Sequence, residues 1–278
     1  MTRKTINDIM ESKKMGNKIS MITAYDYFSA KLLDQVGIDI ILVGDSLGMV
    51  IQGKDDTLSV SLKDMIYHTS LVKRGSSQAM IVADLPFMTY QVSVEDALKN
   101  AGRLIKESGA GAVKLEGGKN ILSQIKAIVN SGIPVMGHLG LTPQSVNKFG
   151  GYKLQAKNKE DAERLIEDAL LLQEAGVFSI VLEKIPLELS KLVRDRLDIP
   201  VIGIGAGPYC DGQVLVFHDL LGFDNDFNPG FVRKYADLNS IIKKAVSEYI
   251  DDINDNKFPA EKESYPMDKD IYNELKED

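Results

Sequence analysis

The sequence predicts an α/β fold, a closed eight-stranded (β/α)8 barrel, on three observations. Short, continuously apolar, β-rich runs recur between residues 20 and 245; helical patterns separate most of them; and no low-complexity or Pro/Ser-rich linker divides the region. A chain of 278 residues, 44% of them apolar, can bury a large core. That length suits either one barrel or two smaller domains.

Taken in order, the first run is Ser20–Tyr25, followed by a helical pattern over Ser29–Val36. Ile38–Asp45 precedes a helix over Leu62–Lys73. Met80–Pro86 leads into Ser93–Ser108, where Ser93 is a good N-cap ahead of Val94-Glu95-Asp96. Ala112–Gly117 precedes Ile121–Ser131, Pro134–Gly140 precedes Lys159–Ala175, and Phe178–Ile185 precedes Leu187–Arg196. Pro200–Gly207 and Val214–His218 complete the set, the last following closely on the seventh. Each run is too continuously apolar for a half-exposed antiparallel strand and suits one buried on both faces. Strand–helix alternation means a parallel sheet with right-handed crossovers. Eight strands in roughly 250 residues fit a TIM barrel, with a doubly wound open sheet as the alternative. Residues 1–250 are therefore expected to form a single barrel domain. Residues 251–278, acidic and poorly periodic, read as an extended tail with room for a short final helix and no catalytic role.

Charge and cysteine usage narrow the partners. A net charge of −7 argues against nucleic acid or an anionic membrane, while local acidity suits a divalent cation. Cys210 is the only cysteine, so no intrachain disulfide forms and a reducing cytoplasm is the expected home. The first residues carry no apolar signal region, and no run approaches a membrane span.

Function is written at the ends of the runs. The second ends in Gly44-Asp45-Ser46 and the third in Asp84; the fourth carries Lys114 and Glu116 on alternate residues, the fifth His138 and the sixth Glu183. Residues two apart on a strand share a face, and in a barrel all C-terminal strand ends converge on one mouth. Taken singly, each has a plainer reading: Asp45 or Asp84 as a helix N-cap, Lys114 with Glu116 as a buried ion pair, His138 as structural, Glu183 as the partner of Lys184. Taken together, carboxylates buried around one mouth call for a cation or partners. Mg²⁺ suits few carboxylates plus water and substrate oxygens, whereas three histidines and one cysteine make a poor zinc set. Gly203-Ile204-Gly205-Ala206-Gly207 marks either a phosphate-binding loop or a tight strand exit. Gly150-Gly151-Tyr152 reads as a loop over the mouth, and Tyr25-Asp26 lines the pocket or caps the next helix.

The stretches TAYDYFSAKL (23–32), LVGDSLGMVIQG (42–53), ADLPFMTY (83–90), VKLEGG (113–118), GHLGLTPQSVNKFGGYK (137–153) and PVIGIGAG with DGQVLVFHD (200–219) resemble the ketopantoate hydroxymethyltransferase family, in order over about residues 20–235. The resemblance implies Mg²⁺, transfer of a one-carbon unit from 5,10-methylenetetrahydrofolate to 3-methyl-2-oxobutanoate, and a homo-oligomer, commonly a homodecamer. It further implies Asp45 and Asp84 as metal ligands, with Glu116 completing or supporting the sphere. Asp45, Ser46, Asp84, Lys114 and His138 would then bind substrate, and Glu183 would be the proton acceptor. A phosphoenolpyruvate mutase or isocitrate-lyase-like enzyme shares the metal and enolate logic, and GHLGLTPQS favours the transferase. A non-enzymatic binding barrel would leave the polar mouth without purpose.

Overall fold

The computed structural model describes residues 3–226 and 228–277. In chain order its elements are α1 (Ile6–Lys14), β1 (Ile19–Thr23), α2 (Tyr27–Gln35), β2 (Ile40–Val43), α3 (Leu47–Val50), α4 (Leu62–Gly75), β3 (Met80–Asp84), α5 (Val94–Ser108), β4 (Ala112–Glu116) and α6 (Leu122–Asn130). They continue as β5 (Val135–Gly140), α7 (Val146–Phe149), α8 (Lys159–Glu174), β6 (Ser179–Glu183), α9 (Leu187–Arg196), β7 (Val201–Ile204), β8 (Gly212–Leu215), α10 (Phe217–Leu221), α11 (Leu238–Asn254) and α12 (Lys269–Glu277). The eight strands pair in sequence order, all parallel, and β8 closes onto β1: the expected (β/α)8 barrel, not an open sheet.

Local chemistry sets the helix starts. Asp26 accepts from Phe28 N and Ser29 N, Ser61 and Asp64 cap each other, Ser93 accepts from Asp96 N, and Asn158 accepts from Asp161 N. Helix α5 ends at Gly109, whose φ of 78° is open to glycine at little strain. The eighth strand begins two residues earlier than the apolar run implies and gives way at Phe217 to a helix. A Cβ at Gly212 would lie 2.4 Å from the Ile19 carbonyl oxygen. A residue with poor strand propensity is thus the one that lets β1 and β8 meet.

The period of two sorts the strand residues. One face, including Ile41, Val43, Ile81, Ala83, Val113, Leu115, Ile180 and Leu182, packs beneath the helices. The other face, with Ile40, Leu42, Met80, Val82, Ala112, Met136, Val181, Ile202 and Val214, fills the barrel interior. Ile9 of α1 joins that interior cluster, and Lys13 reaches Ile199 O and Asp211 Oδ2, so α1 closes the N-terminal end. By contacts the chain divides into two compact units, Met1–His218 with Pro229–Val232, and Asp219–Asn228 with Arg233–Asp278. The composition shift at 250 falls inside the second unit, within α11, and the tail beyond it carries α12. Asp237 caps α11, which exposes Ile241, Ile242, Val246, Tyr249, Ile250 and Ile253. Among the described residues no helix is long and apolar enough to cross a membrane.

Asp34, buried in the last turn of α2, anchors the segment entering β3. Its carboxylate accepts from Ser76 Oγ, Ser77 N and Oγ, Gln78 N and Ala79 N at 2.7–3.0 Å. Burial raises its pKa, but these donors hold it well below the usual carboxylate range. A depressed folded pKa contributes stability above the unfolded value near ~3.9, lost as pH falls through the folded value. Asp34→Ala should lower unfolding stability by about 2–3 kcal/mol and flatten the loss between pH 5 and 2, since buried donors lose their acceptor. Urea denaturation would show a lower midpoint at unchanged slope; a midpoint equal to wild type would contradict this role.

Candidate active site

The interior stripe of each strand turns from apolar to ionisable at its C-terminal end. Val82 is followed by Asp84, Ala112 by Lys114 and Glu116, Met136 by His138, and Val181 by Glu183, each two residues on and so on the same face. Register then sets Asp84 beside Lys114 and Glu116 beside His138. Asp45 joins from the turn after β2, where Gly44 keeps the chain close: a Cβ there would lie 2.8 Å from Ser46 Oγ. Asp45, Asp84, Lys114, Glu116 and His138 are each no more than 6% exposed.

The six charged groups form one connected set. Lys114 Nζ lies 3.1 Å from Asp84 Oδ1, 3.9 Å from Glu116 Oε1 and 3.2 Å from His138 Nδ1. His138 bridges two carboxylates, with Nδ1 3.3 Å from Glu116 Oε1 and Nε2 3.3 Å from Glu183 Oε2. Asp45 N donates to Asp84 Oδ2 at 3.1 Å. Neither aspartate caps the following helix with its carboxylate, because Ser93 caps α5 and α3 has no side-chain cap. Glu183 faces His138 rather than Lys184. The Lys184 ammonium donates to Tyr152 O at 2.8 Å and sits over the Phe231 ring. Ser46 Oγ is 2.8 Å from Tyr25 OH, and Asp26 caps α2, so this pair divides between pocket and cap.

Charge balance distinguishes the carboxylates. Burial and the charges of Asp84 and Glu116 push Asp45 well above the usual range. Burial also raises Asp84, against the opposing pull of Lys114. Burial would raise Glu116 as well, but His138, Lys114 and the Gln144 amide hold it below its ordinary value. Burial and the Lys114 charge lower the His138 pKa; the Glu116 and Glu183 carboxylates outweigh them and bring it up to about 9. Glu116 is thus held ionised by protein cations, Asp84 shares Lys114 with it, and Asp45 forms no ion pair among the described residues, so its ionised form is the least supported. Among the described residues no three ligands already converge as a formed metal centre. The donor chemistry nonetheless fits a hard cation: Asp45 and Asp84 are buried carboxylates that burial makes costly to ionise, and Asp45 has no ion-pair partner among the described residues.

Gln144, in the turn after β5, was not singled out from sequence. It is buried; its backbone N donates to Glu116 Oε2 at 2.9 Å, and its Nε2 to Asp45 Oδ2 at 2.8 Å and Leu85 O at 2.9 Å. Tyr90, also missed, donates to its Oε1 at 2.8 Å and accepts from Glu116 N. The only sequence signal was their position inside ADLPFMTY and GHLGLTPQS. The glycine-rich exit of β7 is packed: a Cβ at Gly205 would meet Phe231 and Lys184, and one at Gly207 would meet Leu187 at 2.4 Å. In the loop after α7, Tyr152 OH reaches Met49 Sδ.

The family model for ketopantoate hydroxymethyltransferase matches residues 3–261. A 3-methyl-2-oxobutanoate hydroxymethyltransferase of Clostridium botulinum (strain 657 / Type Ba4) is 56% identical over 273 residues, 98% of this chain and 99% of that one. Its namesake in Acetivibrio thermocellus is 54% identical, covering 98% and 96%. Among solved structures, phosphonopyruvate hydrolase has a TM-score of 0.63 at 11% identity, covering 100% and 96% of the two chains. A 2,3-dimethylmalate lyase of the PEP mutase/isocitrate lyase superfamily has 0.60 at 15%, covering 97% and 88%. These last two likenesses show a common fold.

The chain's three histidines make the pocket charge measurable. In metal-free protein His138 should stay protonated at pH 7.5 and titrate at about 9. A folded pKa above the unfolded value near ~6.5 contributes stability that is full below ~6.5 and lost as pH rises through the folded value. Histidine-labelled ¹H–¹⁵N NMR reads the midpoint directly, and Glu116→Gln should lower it. A wild-type midpoint at or below 6.5 would exclude the carboxylate-bridged imidazolium.

Proposed function

The chain belongs to the ketopantoate hydroxymethyltransferase family, and from that premise we propose how its barrel mouth transfers a hydroxymethyl unit to 3-methyl-2-oxobutanoate. The one-carbon donor is 5,10-methylenetetrahydrofolate, and the products are 2-dehydropantoate and tetrahydrofolate, as in pantothenate and coenzyme A biosynthesis. The single observation that carries the reading is the convergence of buried Asp45, Asp84, Lys114, Glu116 and His138 with partly buried Glu183 at the strand exits.

Asp45 and Asp84 hold Mg²⁺, with Glu116 completing or supporting the sphere. Phosphonopyruvate hydrolase, a fold neighbour, was crystallised with Mg²⁺ and oxalate, a comparable small dicarbonyl anion. When bound, the cation supplies Lewis acidity toward keto and carboxylate oxygens and so acidifies the C3 proton. Ser46 binds the keto-acid carboxylate with its Oγ oriented by Tyr25; for the Asp45 amide to share in this, it must leave Asp84 Oδ2. Lys114 donates to the oxygen on which negative charge develops, from a site where burial strengthens the interaction. Glu183 removes the C3 proton. It ends a buried strand, which limits its conformations, and His138 Nε2 fixes one of its oxygens. The resulting nucleophilic carbon attacks the methylene carbon of the ring-opened folate iminium, and hydrolysis releases both products. The folate brings its own reactivity, so the protein's part is orientation.

We also read the protein as a cytoplasmic homo-oligomer, a homodecamer on the family's pattern. The apolar row on α11 supports burial against a second copy, because exposed patches of this kind usually mark interfaces. Sedimentation velocity should give a species far above 30.6 kDa; a monomer at assay concentration would count against it.

Incubation with 3-methyl-2-oxobutanoate, methylenetetrahydrofolate and Mg²⁺ should yield 2-dehydropantoate, and absence of product would sink the reading. Without folate, wild-type protein should exchange the C3 proton of the keto acid in heavy water. Glu183→Gln keeps the size, removes the basicity, and should slow that exchange ~10²–10⁴-fold. Exchange at the wild-type rate would assign the base elsewhere.

A further inference from the structure

We infer that Gln144 is a positioning residue that makes Asp45 a one-oxygen ligand and thereby biases the pocket toward a small cation. The inference rests on the reading of Asp45 as a cation ligand and goes beyond it. A glutamine amide has two N–H donors and one oxygen with two lone pairs. Here both ends are occupied: Nε2 donates to Asp45 Oδ2 and Leu85 O, and Oε1 accepts from Tyr90 OH at 2.8 Å and Gln91 Nε2 at 3.1 Å. The Leu85 carbonyl can only accept, so nitrogen must face it, and the amide cannot be flipped without breaking its partners' hydrogen bonds. Tyr90 OH accepts from Glu116 N, and its single proton goes to Gln144 Oε1 at 2.8 Å in preference to Glu116 O at 3.0 Å. The amide therefore ties the turn after β5 to the exits of β2, β3 and β4.

The consequence falls on Asp45. Its Oδ2 is engaged by Gln144, while among the described residues no hydrogen bond reaches its Oδ1. A carboxylate held by one oxygen presents the other and resists turning to chelate with both. Mg²⁺ demands near-octahedral geometry with few ligands, whereas Ca²⁺ takes six to eight oxygens and readily uses both oxygens of one carboxylate. Releasing Oδ2 should weaken Mg²⁺ binding and spare Ca²⁺. Groups that orient a metal ligand typically change affinity by about 10- to 100-fold when removed.

The test titrates Mg²⁺ and, separately, Ca²⁺ into wild type, Gln144→Met and Tyr90→Phe by isothermal calorimetry. Saturating 3-methyl-2-oxobutanoate is present and folate absent, so turnover is not the readout. Gln144→Met, similar in size but without donors, should lose Mg²⁺ affinity by about 10- to 100-fold and Ca²⁺ affinity by much less. Tyr90→Phe, which removes the hydroxyl that fixes the amide, should shift the Mg²⁺/Ca²⁺ ratio the same way by a smaller factor. Equal losses for both cations, or an unchanged ratio, would overturn the inference, because a merely structural role moves both together. Should Gln144→Met fail to fold by circular dichroism, Tyr90→Phe decides alone. If wild type binds neither cation, the metal reading itself fails and takes the inference with it.

Discussion

Asp45, Asp84 and Glu116 are buried at one barrel mouth against Lys114 and the imidazolium of His138, and much of this protein follows from that imbalance. Two unit charges about 4 Å apart interact by ~4 kcal/mol at an effective dielectric near 20, comparable to a large part of a domain's net stability. With all three carboxylates ionised the set carries one excess negative charge. Where donors suffice, at Glu116, the carboxylate stays ionised; where they do not, at Asp45 and Asp84, the protonated form gains ground. A pocket built this way is completed by whatever brings positive charge. The same imbalance keeps Lys114 firmly charged, because its carboxylate neighbours outweigh its burial.

The barrel makes such a concentration tolerable. Below the mouth the interior is an apolar stack, mostly of Ile, Leu, Met and Val, closed by Ile9, so apolar burial there offsets the destabilisation above. Because strand residues alternate faces, the polar layer needs no special backbone: Asp84, Lys114, Glu116, His138 and Glu183 occupy the next interior positions after apolar ones. Positive φ appears directly after Glu183, at Lys184 with φ 45°. Its side chain turns away to Tyr152 O and Phe231, which leaves Glu183 to His138.

This regularity explains what was legible in the sequence. Strand order, barrel closure and the convergence of the strand-end residues depend on a period of two and on apolar continuity, both visible in a single chain. The eighth strand was displaced because Gly212 is chosen for close approach to Ile19 O, a three-dimensional requirement without a propensity signature. Helix α11 was not read from sequence although Ile242, Val246, Ile250 and Ile253 recur at helical spacing, because the polar composition beyond Ile250 looks like tail. Gln144 was invisible for another reason. A glutamine in a turn is unremarkable until its partners, 28, 54, 59 and 99 residues away, are seen around it.

That last case also separates fold from function. Phosphonopyruvate hydrolase and the dimethylmalate lyase share this architecture at 11% and 15% identity, which fixes where an active site sits but not what it does. The sequence resemblance rests on segments such as GHLGLTPQS, and the structure gives that segment a physical task. His138 within it meets Glu116 and Glu183, and Gln144 meets Glu116 with its backbone and Asp45 with its side chain. One stretch of chain thus orients Glu183 and both ends of the acidic cluster. Its residues are constrained jointly, since moving the turn after β5 would shift His138's partners and Asp45's together. A barrel with the same strand-end carboxylates but a different turn there would hold its charges in another arrangement, and arrangement is what selects the reaction.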